Sequence, residues 1–258
     1  MDVAIQDQLF IIGGATSGLG KAIAEALVAE GARIIAVARG AEPLQALQAT
    51  APAQIEIVNG NITESSTIQQ LVTVVGNRQL QGIVVNAGGP PAKTVMETTL
   101  EDWDNAYQTL LRWKVEITQA FVPGMIAAGY GRILYLESSS VKQPLENLVL
   151  SNSLRVAVVN MAKTLSLEIA QHGVTINILA PGSHDTNAVE RLYKKKSEQT
   201  GASVEDVRKQ AIQQIPVKKL GDPANFASLA VWLLSPAASY ITGQTISVDG
   251  GVVRGIFG

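Results

Sequence analysis

The sequence contains no cysteine, which excludes disulfide frameworks, thiolate zinc sites and a cysteine nucleophile together. Histidine is nearly absent: His172 and His184, without clustered carboxylates beside them, give no metal site. His172 stands before Gly173 at a predicted helix end, where a cation suits the dipole. Excess charge of either sign is also missing. Lys and Arg number 20 against 22 Asp and Glu, so no basic field exists for nucleic acid or an anionic membrane, and neither is an expected partner. Long apolar runs are lacking: Ala227 to Leu234 is too short to span a bilayer. Met1 to Asp7 carries two aspartates and no basic-then-apolar pattern, so no cleaved export signal is expected and a cytoplasmic location is.

What the chain does have is 47% hydrophobic against 16% charged residues over 258 positions, the balance of one well-filled core rather than a disordered chain. Short apolar runs recur at Leu9–Ile12, Arg33–Ala38, Gln54–Val58, Gly82–Asn86, Arg132–Leu136, Val174–Leu179 and Thr245–Val248, and read as strands. Between them, helical spacing covers Leu19–Glu30, Glu42–Ala49, Ser65–Gly76, Trp103–Ala128, Ser153–Gln171 and Pro223–Leu234. Trp103, Trp113 and Trp232 fall inside these helical patterns and suit a core or an interface better than a base-stacking surface. Strict alternation predicts a doubly wound α/β fold of Rossmann type, with a parallel sheet of about seven strands and helices on both faces. No repeat or linker divides it, so one domain over residues 1–258 is expected. The polar stretch Ser183–Gln214, which contains Lys194, Lys195 and Lys196, reads as a pair of surface helices. It follows the sixth strand on the crevice side of such a sheet, so residues 183–215 are the expected substrate lid.

Gly13-Gly14-Ala15-Thr16-Ser17-Gly18-Leu19-Gly20 joins the first strand to the first helix. Glycines there let the backbone approach a pyrophosphate, and the free N–H groups with the helix dipole favour its charge. The second strand ends in Ala38-Arg39 rather than a carboxylate. A carboxylate there would repel a 2′-phosphate, whereas a guanidinium can grip one, so NADP(H) is favoured over NAD(H). A plain solvated role for Arg39 stays open, as does a turn-forming role for Asn61.

The spacing of Gly14, Gly18 and Gly20 resembles the glycine pattern of the short-chain dehydrogenase/reductase family. The likeness continues through Asn86-Ala87-Gly88, Ser138, Pro181-Gly182 and Asp249-Gly250-Gly251, nearly the whole chain, and in general terms resembles 3-oxoacyl carrier-protein reductase-like members, a label that says little about substrate. The resemblance implies that Thr16, Ser17 and Leu19 join the glycines around the pyrophosphate and that Asn61 and Ile62 meet the adenine. It places Asn86, Ala87 and Gly88 at the ribose, and Pro181, Gly182 and Thr186 beside the nicotinamide. It also implies pairing of long helices into a homotetramer or homodimer. The apolar residues Val156, Val158, Val159, Met161, Leu165 and Ile169 fit this, since they surround their helix rather than form one stripe.

The family's chemistry uses a serine, a tyrosine and a lysine, with an asparagine on the preceding long helix. Ser138 matches the serine. Thirteen residues later, where the tyrosine belongs, stands Ser151, and four beyond it, in place of lysine, stands Arg155. Leu110 occupies the asparagine position. Thr164-Leu165-Ser166-Leu167-Glu168 and Val174-Thr175-Ile176-Asn177 keep the register downstream, and no tyrosine lies between Tyr135 and Tyr193. A serine hydroxyl is a weak acid and arginine stays protonated, so the usual proton transfer cannot run as written. His184, Tyr193 and Glu137 are the conceivable substitute acids. Arg155 could grip the nicotinamide ribose and polarise a carbonyl, or simply pair with a surface carboxylate. The resemblance therefore implies an NADP(H)-dependent oxidoreductase acting on a small carbonyl or alcohol through Ser138, Ser151 and Arg155. A non-catalytic NADP(H)-binding sensor or partner subunit stands as the alternative.

Overall fold

The computed structural model describes residues 3–256; Met1 and Asp2, part of the segment read for an export signal, lie outside them. Seven strands form one all-parallel sheet in the order β3-β2-β1-β4-β5-β6-β7. They are β1 (Leu9–Gly13), β2 (Arg33–Ala38), β3 (Ile55–Asn59), β4 (Gly82–Val85), β5 (Gly131–Leu136), β6 (Val174–Pro181) and β7 (Thr245–Val248). Parallel pairing demands a crossover between neighbours, and the helices that supply it cover both faces. Hence β1, β4 and β5 are buried along their whole length and read as unbroken apolar runs rather than alternating ones.

Two cores result, separated by the pleat. Phe10, Ile12, Ile34, Leu134 and Leu136 point to one face, where α1 (Gly18–Ala29), α2 (Ala41–Thr50) and α9 (Pro223–Leu234) bury Ile23, Leu27, Leu44 and Phe226. Their sequence neighbours Leu9, Ile11, Ile35, Ile133 and Tyr135 point to the other. There they meet α3 (Ser65–Val75), α5 (Trp113–Ala127) and α6 (Val149–Ile169), through Leu71, Trp113, Ile117 and Val158. Asp222 starts α9, its carboxylate accepting the Ala224 N–H at 2.8 Å, with Pro223 in the first turn. The polar stretch forms α7 (Asn187–Thr200) and α8 (Val204–Gln214), separated where Gly201 takes a left-handed φ of 72°. Among the described residues no helix is long and apolar enough to cross a membrane.

Two helices depart from their predicted bounds, and both departures shape the cleft. The segment expected as one helix over 103–128 is α4 (Leu100–Tyr107), a π-helical turn (Gln108–Arg112) and then α5. The widened turn is satisfied locally, because the Trp113 indole donates to the Thr109 carbonyl oxygen at 2.9 Å. Leu110, where the resemblance calls for asparagine, uses that turn to pack inward, 1% exposed. Helix α6 begins at Val149 rather than at Ser153, which brings Ser151 onto it one turn before Arg155.

The strand order reverses between β1 and β4, so their carboxyl ends diverge into a crevice. Helix α1 can start against β1 only because position 20 lacks a side chain: a Cβ there would overlap the Gly14 carbonyl oxygen. Gly20→Val should therefore destabilise the fold by about 1–3 kcal/mol through overpacking. Urea unfolding followed by circular dichroism checks this.

Candidate active site

One cleft of about 910 Å³ runs from the glycine turn, over the ends of β1 and β4, to Arg155. At the first end Gly14 and Gly18 hold φ of 66° and 54°, which lets the turn fold back before α1 begins. Ser17 is the N-cap of α1, yet its side chain makes no capping hydrogen bond, so the hydroxyl and the first helical N–H groups remain available to an anion. Thr16, Ser17 and Leu19 line the cleft with the glycines. Arg39 lies exposed on the wall beyond β2. Asn61 and Ile62 also line it, although Asn61 serves its own turn, accepting the Thr63 N–H and donating to Glu64, both at 3.3 Å. Asn86 ties the two central strand ends together, its amide donating to the Gly13 carbonyl oxygen at 3.1 Å.

At the other end three charged side chains meet in the interior. Glu137 continues the face of β5 set by Ile133 and Tyr135, so its carboxylate enters the layer between the sheet and helices α5 and α6. There it takes an ion pair from Lys114, on the first turn of α5, and another from Arg155 Nη1 at 2.9 Å. Arg155 Nε donates to Ser151 Oγ at 3.0 Å, and Nη1 also reaches the Leu136 carbonyl oxygen at 3.4 Å. Its Nη2 has no protein acceptor among the described residues and faces Gly89, where a Cβ would stand 3.3 Å away. Burial pushes the Lys114 amine below its ordinary range, and the Arg155 charge adds to that, while Glu137 opposes them.

The residues predicted for catalysis are thus brought together unequally. Arg155 and Glu137 line the cleft, whereas Ser151 is buried behind Arg155 and Ser138 lies off the lining, its oxygen accepting the Ser140 N–H at 3.1 Å. Pro181, Gly182 and Thr186 border the cleft opposite. Thr186 caps α7 and sits across from Gly18, so the first turn of α7 overhangs the glycine turn.

His184 lines the cleft as well, but its ring is buried edge-on against Phe226, and its Nδ1 pairs with the Gly182 carbonyl oxygen at 3.1 Å. Burial lowers its pKa against the opposing effects of that carbonyl and of Asp222, so the ring is neutral near pH 7. The Tyr193 hydroxyl is buried without a partner among the described residues, off the lining, and burial raises its pKa. Tyr135, the tyrosine nearest in sequence, is wholly buried beneath the sheet with its hydroxyl bonded to Thr118, and burial raises it further. Among the described residues no group of three or more His, Asp or Glu could hold a metal ion.

Sequence reasoning passed over Lys114 altogether. A signal existed: a lysine amid the apolar positions of a helix predicted to lie against the sheet, in register with a glutamate ending an apolar strand. Nothing local says that the two meet.

Removing one member of a buried ion cluster strands the others. Glu137→Leu leaves two cations facing each other and should cost about 3–5 kcal/mol in urea unfolding. Lys114→Met keeps the Glu137–Arg155 pair intact and should cost much less. The neutral His184 generates a pH dependence. The unfolded chain takes up this proton near 6.5 and the folded chain only below that value, so the unfolded state holds more protons in the interval. Stability should therefore fall as pH drops below 6.5, and His184→Gln should flatten the fall. Thermal melts between about pH 7.5 and 5.5 provide the check.

The chain from residue 14 to residue 253 matches the family model described as Enoyl-(Acyl carrier protein) reductase. It is 30% identical over 256 residues to the 3-oxoacyl-[acyl-carrier-protein] reductase FabG of Thermotoga maritima, covering 96% of this chain and 99% of that one. It is 29% identical to dehydrogenase/reductase SDR family member 4 of Sus scrofa, over 96% of this chain and 88% of the relative. Among solved structures, L-sorbose reductase from Gluconobacter frateurii, complexed with NADPH and L-sorbose, superposes with a TM-score of 0.93 at 28% identity, over 99% and 100% of the two chains. By its sequence match and its seven-stranded parallel fold alike, the chain belongs to the short-chain dehydrogenase/reductase family.

Proposed function

We propose that the protein is an NADP(H)-dependent oxidoreductase that interconverts a small carbonyl compound and its alcohol, with Ser138, Ser151 and Arg155 in place of serine, tyrosine and lysine. The observation that carries this is the single continuous cleft, with a glycine-formed anion cradle at one end and a fixed, partly open guanidinium at the other. The cradle fits a dinucleotide: Gly14 and Gly18 line it with left-handed φ angles, the absence of a side chain at position 20 lets α1 start hard against the Gly14 carbonyl, and α1 presents uncapped N–H groups.

In this reading Gly14, Thr16, Ser17, Gly18, Leu19 and Gly20 hold the pyrophosphate, and Arg39 holds the 2′-phosphate. Asn61 and Ile62 border the adenine, Asn86, Ala87 and Gly88 the ribose, and Pro181, Gly182 and Thr186 the nicotinamide. When bound, the cofactor supplies or accepts the hydride. Arg155 stabilises the negative charge that develops on the substrate oxygen, since its Nη2 faces the cleft while its other edge is held by Ser151 and Glu137. Ser151 is then a positioning residue, and Ser138 orders the turn that follows Glu137. The oxygen's proton comes from water, because Ser151 is committed to Arg155 and His184 is neutral and packed. Helices α7 and α8 act as the lid, α7 carrying Asn187 and Arg191 to the cleft mouth. Val156 and Tyr107, 43% and 46% exposed on α6 and α4, support a homo-oligomer through these helices.

Among the described residues no side chain lining the cleft is suited to give a proton to an alkoxide, which favours a second reading, a non-catalytic NADP(H)-binding sensor or partner subunit. Calorimetric titration with NADPH and NADH, followed by single-turnover absorbance decay over a panel of carbonyl compounds, separates the two. Hydride loss to any member of the panel supports the enzyme; tight NADPH binding with no turnover supports the sensor; binding of neither nucleotide overturns both. Arg39→Ala should weaken NADPH by roughly tenfold and leave NADH unchanged, the modest size reflecting the exposure of that side chain.

A further inference from the structure

We propose that the pocket beside Arg155 Nη2 is built for an oxygen anion, so that the ligand of this site presents a carboxylate, or an oxygen that becomes an enolate, rather than a neutral carbonyl. The inference rests on the reading of the cleft as a cofactor and substrate site and names the chemical class of that substrate.

Geometry supplies the first support. Arg155 is 8% exposed, and its Nε and Nη1 are committed to Ser151, Glu137 and the Leu136 carbonyl oxygen. The guanidinium is therefore held on one side and presents the Nη2 edge to the cleft at Gly89, with no protein acceptor there among the described residues. A guanidinium donor in a water-poor recess gains most from a charged acceptor.

Charge supplies the second. Lys114 and Arg155 both pair with a single carboxylate, Glu137, one at each of its oxygens, so Glu137 has no oxygen left for Nη2. An anion at Nη2 would fill the open donor edge of a guanidinium that stays charged in the interior. The rest of the cleft lining is cationic as well. Its acidic lining residues are Asp102 and Glu137, and each is paired from behind by a lysine that does not itself line the cleft, Lys93 at 2.7 Å from Asp102 and Lys114 beside Glu137. Among the described residues Arg39 and Arg191 line it without a carboxylate partner, and Arg39 stands at the far end.

Chemistry supplies the third. Hydride addition to an isolated carbonyl makes an alkoxide, which needs an acid at once. Hydride addition to the far carbon of a conjugated enone moves the electron pair through the carbon–carbon double bond onto oxygen. The resulting enolate needs only a cation until water protonates its carbon. Among the described residues no side chain facing the cleft is placed to protonate an alkoxide, which leaves that proton to water alone, while Arg155 offers the cation.

Three probes separate these sources, each titrated by calorimetry into apo-protein and into protein saturated with NADP⁺. They are crotonate, a carboxylate; cyclohexane-1,3-dione, an enolate at neutral pH; and cyclohexenone, their neutral counterpart. At least one anion should bind tenfold or more tightly than cyclohexenone. Arg155→Met, which leaves the Lys114–Glu137 pair in place, should abolish that preference. Gly89→Val, which keeps every charge and covers the Nη2 edge, should do the same. Crotonate binding would assign a substrate carboxylate, and dione binding alone an enolate. Equal binding of cyclohexenone, no binding of either anion, or anion binding that survives both variants would overturn the proposal. Failure to bind NADP⁺ alongside intact anion binding would instead sink the cofactor reading and leave the anion site standing.

Discussion

Three buried charges fix one end of the cleft. Lys114 from α5, Glu137 from the end of β5 and Arg155 from α6 lock three elements together at the point where the cleft reaches its deepest wall. Such a cluster adds little net stability, since desolvation offsets most of its attraction, but loss of Glu137 leaves its two cations facing each other. Its consequence is orientation. A lone lysine or arginine side chain samples many rotamers, whereas Arg155, held at two of its three nitrogens, presents one edge in one direction.

The cluster in turn relies on the π-helical turn at Gln108–Arg112. That turn changes the helical phase just before Lys114, and Trp113, 1% exposed, anchors it by donating to Thr109. Lys114 then enters the interior rather than solvent, with its amine 5.7 Å from the Trp113 ring centre. Leu110 fills the position where the family resemblance calls for an asparagine. Leu110 and Lys114 both turn inward around this one segment, the first into apolar packing and the second onto Glu137.

The two ends of the cleft use different physics. The glycine turn offers backbone: positive φ angles, a close helix–strand contact and unsatisfied N–H groups, none of which requires a charged side chain. The Arg155 end offers a buried guanidinium, and in such surroundings one fixed charge counts for more. In the proposed reading, the first end would hold a dinucleotide while the second sets what a substrate oxygen meets.

The sequence by itself determined the architecture. Unbroken apolar strands alternating with helices imply a parallel sheet covered on both sides, and the glycine spacing after β1 marks its crevice, because both signals are local and periodic. It also showed that no tyrosine lies between Tyr135 and Tyr193, the stretch in which the family resemblance calls for one. Only the tertiary structure decided which side chains meet there. Glu137, Lys114 and Arg155 lie 23 and 18 residues apart along the chain, on a strand end and two helices. Their meeting depends on how the π turn rotates α5 and where α6 begins, and a change of phase by one residue leaves composition and apolar pattern almost unaltered while redirecting every side chain. Long-range pairing of buried charges carries no period, and so it becomes visible only when the helices are docked.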